Sequence, residues 1–299
     1  MQLSNYLAIK KNQTRRLTTN IARKAEPNHK RVVVSLTSYP ERIRFVPQVI
    51  RSMFAQTVLP DLTVLYLSMK QFPNTEDDLP QELLKLRGFD FRIRWVEDDY
   101  KSHKKYLYSV KDYPDAVIIT LDDDIKYRNT LIEELLLSYR RFPNCISAIR
   151  THAITFDQKG IICPYSNWLM ENAINMPELC DKPSVQLFAT SGAGMLLPPH
   201  CLPEMAFDTN AIAQTCPHAD DIWLKSMSAL AGIKTVAVKG WAGVDCIENS
   251  QETSLWSTNR TGGNDKAITN LRVFLSHKSI NLDKLLFDPE LNKFISRNL

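Results

Sequence analysis

The 299-residue sequence has no CxxC pair and no dense cysteine framework; Cys145, Cys163, Cys180, Cys201, Cys216 and Cys246 are scattered. That spacing argues against a disulfide-stapled scaffold and predicts reduced, mostly buried thiols in a cytoplasmic protein. No uninterrupted apolar run reaches the length of a membrane span, so no transmembrane helix is expected. The first residues lack an apolar stretch followed by a small-residue cleavage site, so no secretory signal is expected. Internal repeats and low-complexity tracts are missing too. What remains is globular: a 44% hydrophobic fraction suffices for a sizeable core, with room for one large domain or two small ones.

Acidic charge is almost absent from the first 31 residues. Lys10, Lys11, Arg15, Arg16, Arg23, Lys24, Lys30 and Arg31 face only Glu26 there, a surplus of +7 in a chain of net charge +4, which leaves −3 for the rest. A basic leader on a mildly acidic body points to an anionic surface, either nucleic acid or the inner face of a membrane. Few aromatics interleave with these basic residues and no base-reading motif follows. The balance therefore favours peripheral contact with the inner membrane face and no nucleic acid. A solvated leader accounts for the charge equally well. Residues 1–30 are set apart on this basis.

From residue 31 the pattern becomes regular. Residues 31–36 hold the continuous β-branched run Val32-Val33-Val34 and read as a buried strand, which opens into the polar stretch Thr37-Ser38-Tyr39-Pro40-Glu41-Arg42. Apolar residues at helical spacing over 46–56 predict a helix. Strands follow at 62–67 and 91–96, separated by a polar loop and a short helix at 81–86. A helix at 103–112, a strand at 116–121 and a helix at 129–141 complete the first half. This alternation predicts a mostly parallel, Rossmann-like sheet flanked by helices. The second half is less regular, with strands at 145–149 and 235–238 and an apolar strand inside 190–199. Residues 248–267 are polar and turn-rich, a lid or a connector. Residues 268–299 read as an amphipathic helical segment, leaving 31–267 as the catalytic body.

One stretch concentrates charge where a sheet would hold a ligand. The strand ending at 121 runs into Asp122-Asp123-Asp124. Three adjacent carboxylates repel one another, and a hard divalent cation is their simplest partner. A solvated acidic turn fits the spacing equally well. Lys104 and Lys105 stand near the same sheet edge, unless they merely solvate a helix face. Gly192 and Gly194 permit positive φ or close backbone approach. Asp220 and Asp221 open a helix, where capping accounts for one of them. His218 is better read as hydrogen-bonded near the helix start than as an orienting group, and Trp223 as core. Trp256, on the polar loop, suits either sugar stacking or anchoring.

In order, VVVSLTSYPERI, LDDDIKY, SGAGMLLPP and HADDIWL form a set that resembles glycosyltransferases of the GT-A fold. The similarity is greatest to the bacterial family that builds lipopolysaccharide and capsule, and it spans roughly residues 31–270. The resemblance implies Mn2+ or Mg2+ at Asp124 and Asp122, on the diphosphate of a nucleotide-sugar, UDP-linked for preference. It implies a donor site lined by Thr37, Ser38, Tyr39, Arg42, Lys104, Lys105, Asp122, Asp123, Gly192, Gly194 and Lys266. Asp221 matches the base of inverting members, with Asp220 beside it. The acceptor would be a glycan or a lipid-linked glycan. The chain departs from the pattern in two places. No Gly-Pro pair precedes the Lys104-Lys105 helix, and no histidine stands near residue 260 as a further metal ligand; Asn259, Asn264 and Asp265 are the nearest polar candidates.

The chemistry agrees with these residue types. Departure of a nucleoside diphosphate leaves negative charge that a metal stabilises as a Lewis acid, helped by Lys104, Lys105, Lys266 or Arg260. The acceptor hydroxyl needs a base on the opposite face of the sugar. Other readings are a retaining enzyme of the same fold, a sugar-nucleotide pyrophosphorylase, and a non-catalytic glycan- or membrane-binding protein. A pyrophosphorylase should carry a Gly-rich basic loop after its first strand, which Thr37–Arg42 is not. A phosphatase using a DxD nucleophile fits less well, since Ile125-Lys126 follow Asp124.

Overall fold

The computed structural model describes residues 30–88, 90–240, 243–250 and 262–298. The basic leader before residue 30 lies outside them, as do Trp256, Asn259 and Arg260. Strands are β1 (Val32–Thr37), β2 (Leu62–Ser68), β3 (Phe91–Val96), β4 (Val117–Thr120), β5 (Cys145–Ala148), β6 (Thr151–Ala153), β7 (Leu187–Ala189), β8 (Met195–Leu197) and β9 (Lys234–Ala237). The longer helices are α1 (Val46–Phe54), α2 (Lys104–Asp112), α3 (Leu131–Arg141), α4 (Thr209–Thr215), α5 (Asp220–Leu230), α6 (Asn264–Ser276) and α7 (Pro289–Asn298). Seven strands form one sheet in the order β3-β2-β1-β4-β8-β5-β9, while β6 and β7 pair separately. The sheet is parallel except at β8, which runs antiparallel to both β4 and β5. The chain is therefore an α/β protein with a mostly parallel sheet covered by helices, as the alternating pattern predicts.

Register decides what meets at the sheet edge. Ser35 of β1 stands opposite Thr120 of β4. Three residues further along both chains, Ser38 must lie beside Asp123. Strand order also reverses here, since β2 continues on one side of β1 and β4 on the other. Such a switch point opens a crevice at the carboxyl ends of the strands. The antiparallel β8 brings its own beginning to that edge, because Met195 pairs with both Thr120 and Ala148. Residues just before 195, just after 120 and just after 148 are thereby gathered.

Side chains of each strand divide between the two faces, because successive residues point oppositely along a strand. Val33, Val64 and Ile118 join Tyr106, Trp223 and Leu271 in one buried cluster. Val34, Leu65 and Ile119 join Ile50, Leu131 and Leu135 in another. Both faces are covered, which is why these strands read as unbroken apolar runs. Trp223 is fully buried, and its Nε1–H donates to Ala206 O at 3.0 Å. The carboxyl-terminal helices share in this core: Ile268, Leu271 and Leu275 of α6 sit in the first cluster, while Leu291 and Ile295 of α7 pack with Leu179, Leu187 and Ala237. All six cysteines carry free thiols, with Cys180, Cys201 and Cys216 buried.

Candidate active site

A cavity of about 810 Å³ opens at the crevice. It gathers Thr37, Ser38, Tyr39 and Arg42 from the mouth of β1, and Lys104 and Lys105 from the start of α2. Asp122, Asp123 and Asp124 enter it from β4, Gly192 from the loop before β8, and Asp220 and Asp221 from α5. His218 and Asn264 also line it, His218 being exposed. Two candidates lie elsewhere. Lys266 is exposed on α6, and Gly194 turns the chain into β8. Asp265 is spent on structure, accepting from the Tyr165 amide at 2.8 Å.

The three carboxylates of the triplet have different surroundings. Ser38 Oγ donates to Asp123 Oδ2 at 2.5 Å, as the strand register requires. Arg42 lies against both Asp123 and Asp124, with Nε 3.4 Å from Asp123 Oδ1 and Nη2 paired to Asp124 Oδ2. Tyr39 O starts this arrangement by accepting from the Arg42 and Ile43 amides, each at 2.9 Å, in a turn that brings Arg42 back over the edge. Burial pushes the Asp123 carboxyl up, against the pull of Arg42 and Ser38. The chain at Asp124 is pinned by Ile247, whose amide donates to Asp124 O at 2.8 Å. Asp122 is the open member, with 38% of its side chain exposed.

Lys105 joins this edge to the acids on α5. Its side chain is only 3% exposed, with Nζ 2.8 Å from Asp122 Oδ1 and 3.1 Å from Asp220 Oδ2. Burial alone would lower Lys105, but Asp122, Asp220 and Asp221 hold it well above its ordinary value. Neither Asp220 nor Asp221 caps the helix. The N-cap residue is Ala219, and both acids lie in the first turn without a side-chain cap bond. Ser102 Oγ donates to Asp220 Oδ1 at 2.7 Å. Burial would raise Asp220, but Lys105, His103 and Ser102 together hold it below the usual carboxylate range. Among the described residues Asp221 receives only the Ser191 amide, at 3.1 Å, and it remains partly exposed. Burial and the adjacent Asp220 charge push its carboxyl up to about 7. Two neighbouring carboxyls pushed apart in this way divide into a fixed anion and a group able to exchange protons near neutrality.

Gly192 is required by close approach. A Cβ there would stand 2.4 Å from Asp122 Oδ2. Gly194 is required by backbone conformation, with φ at +106°. Tyr127 ties the two loops together: its hydroxyl accepts from the Asp122 amide at 2.8 Å and donates to Gly192 O at 2.6 Å. Sequence reading passed over Tyr127 and also Arg150, which lies two residues beyond β5 and lines the cavity. The only signal for Arg150 was a lone cation closing the apolar run CISAI.

Lys104 is buried and used internally, with Nζ bonded to Asp99 Oδ1 at 2.5 Å and Gln71 Oε1 at 2.9 Å. Burial lowers its ammonium despite Asp99. A hard cation must therefore be judged against the triplet itself. Asp122 Oδ1 binds Lys105, while Oδ2 is turned toward Gly192. Asp124 is partnered by Arg42. Among the described residues no three His, Cys, Asp or Glu side chains converge as a metal cage. This donor set suits an ion that takes most of its ligands as phosphate oxygens and water, the habit of magnesium beside one or two carboxylates. Charge points the same way: among the described residues the lining carries seven carboxyl and five cationic side chains, so a diphosphate needs added positive charge to enter.

No protein-family model matches the chain, and no curated protein matches it in sequence. Among solved structures it is similar to S. aureus TarS 1-349 in complex with UDP, at TM-score 0.39 and 9% identity, over 71% of this chain and 59% of that one. It is also similar to 4-diphosphocytidyl-2C-methyl-D-erythritol synthase from Anaerococcus prevotii (TM-score 0.44, 12% identity, 75% of this chain, 94% of that one). A third is apo UDP-glucose pyrophosphorylase (TM-score 0.39, 8% identity, 73% and 91%). Among the described residues no helix is long and apolar enough to cross a membrane.

Proposed function

We propose that this chain is a metal-dependent, inverting glycosyltransferase that moves a sugar from a nucleotide-sugar, UDP-linked in our reading, to a hydroxyl of a growing lipopolysaccharide or capsule glycan. The observation that carries the reading is the pairing of two unlike carboxyl groups in one cavity. Asp122 is the exposed carboxyl beside Lys105, while Asp221 is poised near neutrality beside Asp220. Asp221 takes the proton of the acceptor hydroxyl. The hydroxyl oxygen then bonds to the anomeric carbon from the face opposite the leaving group. The bond from that carbon to the diphosphate oxygen breaks, and its electron pair leaves with the diphosphate. A divalent ion held by Asp122, with Asp124 joining it, supplies Lewis-acid neutralisation of the diphosphate when bound. Lys105 orients Asp122 and Asp220, and Ser191 orients Asp221. The basic leader, in this reading, holds the enzyme at the inner membrane face where lipid-linked acceptors lie.

The test is a panel of UDP-, GDP- and CMP-sugars incubated with the full chain and MnCl2 or MgCl2, read as thermal shift and as nucleotide release. Metal-stimulated release with one donor is the expected result, and the anomer of a transferred sugar, read by NMR, establishes inversion. Neither binding nor release across the panel would sink the reading. Pyrophosphate formed from a nucleoside triphosphate and a sugar phosphate would reassign the chain to nucleotidyl transfer.

A further inference from the structure

Of the five cationic side chains that line the cavity among the described residues, four are partnered by carboxylates: Arg42 by Asp123 and Asp124, Lys105 by Asp122 and Asp220, and Lys101 and Lys104 by Asp99. The fifth, Arg150, has no carboxylate partner among the described residues. We propose that Arg150 is the residue that grips the diphosphate of the donor, an assignment that rests on the nucleotide-sugar reading of this cavity.

Arg150 is built in place. Its Nε donates to Thr190 Oγ1 at 2.6 Å, and its carbonyl accepts from the Thr190 amide at 3.1 Å. Thr190 is itself buried and begins the loop that carries Ser191 and Gly192. This latch uses the Nε edge of the guanidinium, and among the described residues neither Nη group is held by another side chain. A planar fork of that kind matches two phosphate oxygens. The absence of a side chain at Gly192 places the fork beside the triplet: a Cβ there would lie 2.4 Å from Asp122 Oδ2 and 3.7 Å from Arg150 Nη2. An open carboxylate and an open cation therefore stand on either side of the Gly192 backbone at the cavity wall, the two signs needed to receive a metal–diphosphate pair. The uncompensated charge is felt nearby. His152, lowered first by burial and then by Arg150, sits at about 3 and stays neutral.

At this position Arg150 bonds to the phosphate oxygens in the ground state and meets the growing charge as the glycosidic bond breaks. The lysines at the start of α2 are left with positioning roles toward Asp99, Asp122 and Asp220.

Isothermal titration of the full chain with UDP, GDP and CDP, each against its own nucleoside in the presence of MnCl2, isolates the diphosphate contribution. In the wild type, the diphosphate should bind more tightly than its nucleoside. Arg150→Gln should cut that advantage by about 10- to 100-fold, the scale of a lost charged hydrogen bond, with nucleoside affinity and melting temperature unchanged. Arg150→Lys should restore part of it. An Arg150→Gln chain that melts normally and keeps the full diphosphate advantage overturns the assignment while leaving the nucleotide-sugar reading intact. A wild-type chain that binds none of the three diphosphates overturns that reading and this one with it.

Discussion

Asp122 occupies the space that a side chain on Gly192 would need, with Oδ2 2.4 Å from the Cβ position. Asp122 is a short side chain at a cavity wall, so it can rotate away from an added methyl. Rotation breaks its 2.8 Å bond to Lys105. Gly192→Ala should therefore fold with stability close to wild type and lose activity by about 100-fold, the usual result of misplacing a reacting group by an ångström. Steady-state kinetics beside a urea melt checks this; wild-type turnover in the variant would show that the approach has no catalytic meaning.

Asp221→Asn keeps the shape of the acid and removes its proton affinity. Donor binding, measured by titration, should stay within about twofold, while transfer should fall by roughly 100- to 10,000-fold, the range of a lost general base. Wild-type activity should rise with pH through about 7, where Asp221 ionises. A well-folded Asp221→Asn chain with substantial transfer, or a wild-type profile flat across that range, removes Asp221 from the base role.

The same carboxyl makes stability depend on pH. Asp221 is raised to about 7 in the folded chain, and an unfolded carboxyl titrates in its ordinary, lower range. Between those values the folded chain holds a proton that the unfolded chain has released. Its contribution is thus fully present below the ordinary carboxylate range and is lost as pH rises through about 7. Lys105, held above its ordinary value, keeps its contribution through this window and loses it only in alkali. Asp220, held low, loses its contribution only in acid. Urea unfolding from about pH 5 to about pH 8 should show the wild type losing stability relative to Asp221→Asn as pH rises, since buried groups shifted the other way, such as His152 and Lys225, act alike in both chains and cancel in the comparison; parallel slopes for the two chains would refute the linkage.

Arg42 neutralises two buried carboxylates at once. Arg42→Met leaves Asp123 and Asp124 facing each other without it, at a cost of about 3–5 kcal/mol. Added MnCl2 should recover part of that loss, because a cation binding only the folded chain stabilises it. Denaturant melts of both chains with and without the metal give the answer. A loss below about 1 kcal/mol contradicts the clamp, and a loss that the metal leaves untouched speaks against Asp124 as a ligand.

Much of the fold was legible in the sequence. The apolar runs at 31–36, 62–67 and 116–121 are strands because both faces of a parallel sheet are buried, and the structure places β1, β2 and β4 there within a residue or so of the expected ends. The helix over 46–56 is α1, two residues shorter. Short strands such as β6 and β7 were harder to read, since three residues carry too little periodicity, whereas β8 falls inside the apolar strand expected within 190–199. In the candidate site, Asp122–Asp124, Lys105, Gly192 and Asp220-Asp221 were read from local clusters of charge or small residues, and all line one cavity. Arg150, Thr190 and Tyr127 carry no such cluster. Their meaning depends on neighbours 40 and 65 residues away along the chain.

By itself, the sequence determined the alternation of strands and helices, the charge at the end of β4, and the second acidic pair at the start of α5. These are local properties, set by burial pattern and by which residues begin a helix. Tertiary structure decided how the charges pair. The register of β1 on β4 set Ser38 against Asp123, and the reversal of β8 brought Gly192 to Asp122. Only then does it emerge that Arg42 and Lys105 are spent on carboxylates, that Asp122 is the most exposed acid of the three, and that Arg150 stands without a carboxylate among the described residues. Electrostatic partners are chosen through space at a few ångströms, and a sequence records distance only along the chain.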